Sequence, residues 1–264
     1  MNIISAVAII ITLFFLSNND HNQHYYVSMT GNDINDCMSA ETSCATVQRV
    51  ADSCGRTCSV RVAVGHYSQR VNVTHHKTLY IQGDVDNTGK CVNRSAVTFD
   101  DNIDSGGAIL FGQDNAIITA SCITLEAYRM GSIGMATRQF AVADGNEISC
   151  NQFPGGACFV ANESSKINIF SPAIYGNASR FAMASDLSQI SIGGNVHVDS
   201  GVTFDVAFIS NQFGSIISYY PTSVSATPSN YSSYQCVDSI IRRNTVPMPG
   251  NGKGYTSDES CRLY

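Results

Sequence analysis

The residues able to do chemistry in this chain are few and scattered. Its densest acidic run is Asp100-Asp101-Asn102-Ile103-Asp104. Oxygens at 100, 102 and 104 suit a hard cation, but Gly106-Gly107 follow and no downstream Glu closes such a loop. The run comes straight after Val97-Thr98-Phe99, so a solvated turn is expected there, as it is for Asp84-Val85-Asp86. Hydrolysis of a glycoside needs two carboxylates at a matched separation. Elimination at a uronic acid needs a base near the C5 proton and positive charge beside the carboxylate. Asp144, Asp186, Asp199 and Asp205 stand alone in sequence, as do His66, His197, Arg129 and Arg138. Cys54-x-x-x-Cys58 with His75-His76 lacks a second close pair at zinc-finger spacing. The sequence therefore assigns no catalytic residue, no metal ligands and no cofactor.

Aromatic residues offer more. Tyr219-Tyr220, Tyr231 and Tyr234 cluster late in the chain, and an aromatic face packs against the C–H face of a sugar ring. These four are the candidate binding residues, with coverage of the coil's C-terminal end as their competing role. Trp is absent.

The elements that position these residues follow from a recurring phrase. Phe159-Val-Ala-Asn-Glu-Ser-Ser-Lys-Ile167 returns as Ala182-Met-Ala-Ser-Asp-Leu-Ser-Gln-Ile190 and as Phe208-Ile-Ser-Asn-Gln-Phe-Gly-Ser-Ile216, with a shorter copy ending at Ile148. Each copy alternates apolar and polar residues, breaks at a polar turn, then resumes at Ile. That is strand–turn–strand chemistry. Anchors roughly 19 to 26 residues apart signal repeats that bury their apolar faces only by stacking. Phe140, Phe159, Phe181, Phe204 and Phe208 recur with the phrase and are expected in the core. An immunoglobulin-like sandwich explains the alternation but not the recurring phrase. Nearer the N-terminus, Val60, Val62 and Val64 alternate, while Val47, Val50, Ala51 and Cys54 recur at helical spacing behind Ser43, a candidate N-cap. A helix over about 43–54 would cover the open end of a coil running from about 58 to 220, with a tail over 221–264.

Met1 to Leu16 form an apolar run too short to span a membrane. Residues 1–23 are read as a secretory signal and 24–264 as one domain. Ten cysteines fit that oxidising route. Local pairs suggest Cys37–Cys44, Cys54–Cys58, Cys150–Cys158 and Cys236–Cys261, leaving Cys91 and Cys122, although spacing alone does not fix connectivity. Asn-x-Ser/Thr sequons at Asn72, Asn93, Asn162, Asn177 and Asn230 are candidate glycosylation sites. The net charge is −6 with 14% charged residues, and no basic stripe exists. Nucleic acid is excluded as a partner, because phosphate binding depends on clustered Lys and Arg.

Tyr25-Tyr-Val-Ser-Met-Thr-Gly-Asn-Asp33, Ala45-Thr-Val-Gln48, Val62-Ala-Val-Gly-His-Tyr67 and Leu79-Tyr-Ile-Gln-Gly83 occur in an order that resembles right-handed parallel β-helix proteins of the pectin lyase-like superfold. Downstream, the chain resembles bacterial and phage β-helix repeat proteins, down to Pro249-Gly250, Gly254 and Tyr264 in the tail. The resemblance implies an all-β, right-handed parallel β-helix with a short N-terminal capping helix. Members of this superfold cleave acidic polysaccharides, bind glycans or serve in attachment, and the fold does not choose among these. The expectation is a secreted, disulfide-stabilised β-helix that binds a polysaccharide or cell-surface glycan. A polysaccharide lyase or glycoside hydrolase is the alternative.

Overall fold

The structure, a computed structural model, describes residues 24–102, 107–226, 232–250, 254–256 and 261–264. The expected signal segment, Asp104, Asn230 and Tyr231 lie outside the described residues.

Alternating apolar residues and polar breaks wind the chain into a right-handed parallel β-helix of about eight turns. An edge strand β1 (His24–Val27) and helix α1 (Val47–Ser53) precede the coils. The first three coils each hold three short strands: β2 (Thr57–Val62), β3 (Gly65–Ser68) and β4 (Val71–Val73); β5 (Thr78–Gln82), β6 (Val97–Asp100) and β7 (Ala108–Gly112); β8 (Ile117–Ser121), β9 (Thr124–Glu126) and β10 (Ile133–Thr137). The next two repeat the plan as β11 (Val142–Asn146), β12 (Ser149–Asn151) and β13 (Phe153–Ala161), then β14 (Lys166–Phe170), β15 (Ala173–Ile174) and β16 (Ala178–Ala184). Later coils merge their first two strands, giving β17 (Gln189–Val198) with β18 (Phe204–Gln212), and β19 (Ile216–Ala226) with β20 (Tyr234–Val237). β21 (Ile240–Arg243), β22 (Gly254–Thr256) and β23 (Arg262–Leu263) close the chain. Equivalent strands stack in parallel register, so the coil has three lateral faces, built from first, second and third strands.

The recurring phrase is a corner. In six successive coils two left-handed residues turn the third strand into the next first strand; examples are Gln139-Phe140, Glu163-Ser164 and Asp186-Leu187, with φ between 53° and 64°. Each corner's second amide donates to the first carbonyl of the next corner, as in Ser164 N to Asp186 O at 2.9 Å. Behind the corner, buried serines continue the ladder. Ser188 Oγ accepts from Ser165 N at 3.2 Å, and Ser215 Oγ accepts from Ser188 N at 3.1 Å. Buried backbone amides need partners, and a small hydroxyl fits this bend.

Registration corrects the anchors. The inward stack is Ala143–Ile167–Ile190–Ile217. Ile216 pairs with Gln189 and is only partly buried, because the third copy aligns from Ile209, not Phe208. With a side-chain period of two, that single residue reverses the face. Ile148 is fully buried but sits in a different bend, just before β12. Phe140 is a second correction: it occupies a left-handed corner and is 65% exposed. Phe159, Phe181, Phe204 and Phe208 are interior as expected, with Phe181 and Phe208 stacked at 4.9 Å.

The helix N-cap is Thr46, not Ser43. Thr46 Oγ1 accepts from Arg49 N at 3.1 Å and donates to Asp33 Oδ2 at 2.8 Å, while Asp33 Oδ1 also accepts from Ala45 N and Thr46 N. This anchored cap sets α1 against β2 and β4. The suggested cysteine pairs all form, and Cys91–Cys122 is the fifth disulfide. No described helix is long and apolar enough to cross a membrane.

Candidate functional site

Stacking converts residues about one coil apart in sequence into neighbours about 4.8 Å apart in space. On the face built from first strands, one outward ladder reads Asp144–Asn168–Ser191–Ser218, with Asn168 Nδ2 donating to Asp144 Oδ1 at 2.6 Å. The next outward ladder reads Asn146–Phe170–Gly193–Tyr220. Phe170 is 57% exposed and Tyr220 49% exposed. Between them Gly193 needs no glycine for its backbone, and a Cβ there would meet only ordinary contacts, 3.8 Å from Phe170 Cδ2 and from Tyr220 O. The missing side chain leaves space. Ladder, glycine and both rings line one groove of about 580 Å³. At its corner Arg94 Nη1 donates to Ser171 O at 3.0 Å and Arg94 Nη2 lies 3.7 Å from Glu147. Cys91–Cys122 ties the loop that carries Arg94 to the coil.

The face built from second strands gathers the acids. Ser68, Asp100, Glu126 and Asn151 form one ladder. Asp100 is fully buried, which corrects the expected solvated turn. Its Oδ2 accepts from Ser68 Oγ at 3.0 Å and lies 3.0 Å from His66 Nε2, and its Oδ1 accepts from Asn102 N at 2.8 Å. Glu126 Oε2 is 3.7 Å from the same His66 nitrogen, while Glu126 Oε1 accepts from Asn151 Nδ2 at 2.8 Å. Asp101, also buried, holds the following turn by accepting from Tyr128 N at 2.8 Å and from Ser132 Oγ. The Tyr128 hydroxyl is pushed up to about 12, first by desolvation, then by its hydrogen bond to Glu126 and by the charge of Glu126, Asp100 and Asp101. His66, alone in sequence, is thus an oriented, half-exposed imidazole with a buried carboxylate behind it, an arrangement suited to proton transfer. Among the described residues no set of three or more His, Cys, Asp or Glu is placed to hold a metal ion.

The predicted tyrosines separate. Tyr219 is fully buried, with its ring edge-on to Phe208 at 5.9 Å, so it offers no face to a ligand. Tyr220, next in a period-two strand, points outward. Tyr234 is half-buried over Gly254, where a Cβ would come within 2.2 Å of its ring carbons. Phe170 was missed because it lies outside the tyrosine cluster; its place after the outward Asn168 of a strand was the available signal. His197 packs its ring against Tyr175 at 5.6 Å. Arg129 Nη2 donates to Asn102 O at 3.4 Å, and Arg138 lies 4.0 Å from Glu163. Asp86 closes a local turn; its hydrogen bonds with Thr88 and with the Lys90 amide hold its carboxyl below the usual range. Of the described sequons, Asn72, Asn93 and Asn177 are exposed, whereas Asn162 is half-buried and accepts from Ser185 Oγ at 2.6 Å.

Comparison with protein-family models, with curated proteins and with solved structures finds no match to this chain. The β-helix rests on the coil geometry itself.

Proposed function

We propose that this protein is a secreted β-helix that binds a polysaccharide or cell-surface glycan along its first-strand face. The observation that carries this reading is the groove in which exposed Phe170 and Tyr220 flank Gly193 beside an amide and hydroxyl ladder. A sugar ring presents C–H faces and hydroxyl edges, so it needs aromatic area and short polar side chains together. Five disulfides agree with an oxidising compartment. Glycan carried at Asn72, Asn93 or Asn177 would stand clear of the groove, whose lining contains none of them.

The test is a glycan array probed with the purified, disulfide-intact chain and with Phe170→Ala and Tyr220→Ala. Binding of at least one glycan, weakened in both variants, supports the assignment. Binding that ignores both rings refutes it.

The second reading is cleavage of a glycan on the second-strand face, favoured by the His66–Asp100–Glu126 cluster there. New reducing ends or unsaturated products, lost in His66→Ala, would support it. Absence of both from pectins, alginates and any array hit would leave a binding protein.

A further inference from the structure

The first-strand groove repeats at one rung per coil, and that repeat selects the shape of chain it takes. Strands β11, β14, β17 and β19 cross beneath it. Each gives one outward side chain to the polar ladder Asp144–Asn168–Ser191–Ser218 and one position to the ladder Asn146–Phe170–Gly193–Tyr220. Rungs lie about 4.8 Å apart, so Phe170 and Tyr220, two rungs apart, are separated by roughly 10 Å along the coil axis. The rung between them, Gly193, carries no side chain. Charge in the groove is one-sided: the lining holds one carboxylate, Asp144, and neither Lys nor Arg. The neighbouring guanidinium of Arg94 is outside that lining and already engaged, with Nη1 on Ser171 O and Nη2 beside Glu147.

Resting on the glycan-binding reading above, we propose that the occupant is a neutral glycan chain with equatorial 1,4-linkages, extended along the coil axis. Such a chain is a flat ribbon that advances by close to one rung per sugar and turns over at each step. Every second sugar therefore presents the same C–H face in the same orientation. Two of these sugars stack on Phe170 and Tyr220. The sugar between them lies over Gly193, where a side chain would lift the ribbon from both rings. Hydroxyls along one edge meet Asn168, Ser191 and Ser218, one partner per rung, so they stay hydrogen-bonded as the ribbon loses water. An axially linked chain winds about its own axis and does not return the same face at the second rung. A uronate or sulfated chain would set its anions near Asp144 with no cation in the lining to pair them.

The experiment is calorimetric titration of the purified, disulfide-intact chain with cellohexaose, β-1,4-mannohexaose and chitohexaose as neutral ribbon probes. A β-1,4-mannuronate hexamer keeps the linkage and adds charge; maltohexaose keeps neutrality and changes the linkage. At least one ribbon probe should bind about tenfold or more tighter than both controls. For that glycan, affinity should step up between the disaccharide and the trisaccharide, the shortest chain that reaches both rings. Phe170→Ala or Tyr220→Ala should remove the step, and Asp144→Asn should narrow the gap to the mannuronate hexamer. The length series on the unaltered chain decides even where a variant fails to fold. Ring-dependent binding led by maltohexaose, the mannuronate hexamer or another array glycan, a smooth rise with length, or an unnarrowed gap in Asp144→Asn would overturn the proposal and leave glycan binding at the groove standing. Absence of all binding, or binding that ignores both rings, would remove the glycan reading itself.

Discussion

The first-strand and third-strand faces share one backbone plan and one interior, yet they present opposite surfaces. Outward from β11 to β19 the ladders are amide, hydroxyl and aromatic; outward from β7 to β16 they are alanine, valine, methionine and phenylalanine with arginine at the rim. Inward, both faces converge on the same core of Ile167, Ile190, Phe159 and Phe181. The contrast teaches that inward residues specify the coil and leave outward residues free to differ from face to face.

That division is first tested where the largest effect is expected. Ile190→Ala should open a core cavity and cost about 2–5 kcal/mol in denaturant unfolding. Ile216→Ala, one residue off the inward stack, should cost about 1 kcal/mol. Equal costs would erase the inside–outside distinction and contradict the register.

Next, Cys91→Ser with Cys122→Ser opens a closed segment with a sequence separation of 31. A loss of about 2–4 kcal/mol is expected. It should also weaken glycan binding modestly by loosening the Arg94 loop beside the glycan groove. Glycan binding unchanged in the destabilised variant would separate that loop from the groove.

The smallest effect concerns the second-strand face. Tyr128 and the buried Tyr67 are both raised from 10.0 to about 12, with desolvation the leading cause in each. Because the folded protein keeps these protons longer than the unfolded chain, their contribution is complete below about pH 10 and is lost as pH climbs toward 12. Ultraviolet titration should show late-ionising tyrosine, reduced in Tyr128→Phe. Uniform ionisation near pH 10 would place Tyr128 away from Glu126.

The coil was legible because inward residues repeat. The phrase ending in Ile167 and Ile190 marks one corner twice, and the serines before each Ile mark its hydrogen-bond ladder. The third copy misled by one position because Phe208 and Ile209 are both apolar and both buried, so the pattern alone does not choose between them. The site was less legible. Tyr220 was readable only as one of four candidate binding tyrosines, and its neighbours Gly193 and Phe170 lie one and two coils back. His66, Asp100 and Glu126 are likewise far apart in sequence and meet only once β3, β6 and β9 are in register. Periodicity reports burial, and it is silent on which outward residues share a rung.

The most direct measurement of the central claim uses Gly193→Leu. Its backbone is not left-handed and a Cβ fits there, so a leucine should fill the space between Phe170 and Tyr220 without disturbing the interior. Calorimetric titration with a glycan identified on the array, together with the denaturation midpoint, reads both halves of the claim in one protein. The account predicts an unchanged midpoint and loss of glycan binding. Retained binding at the native midpoint would contradict it.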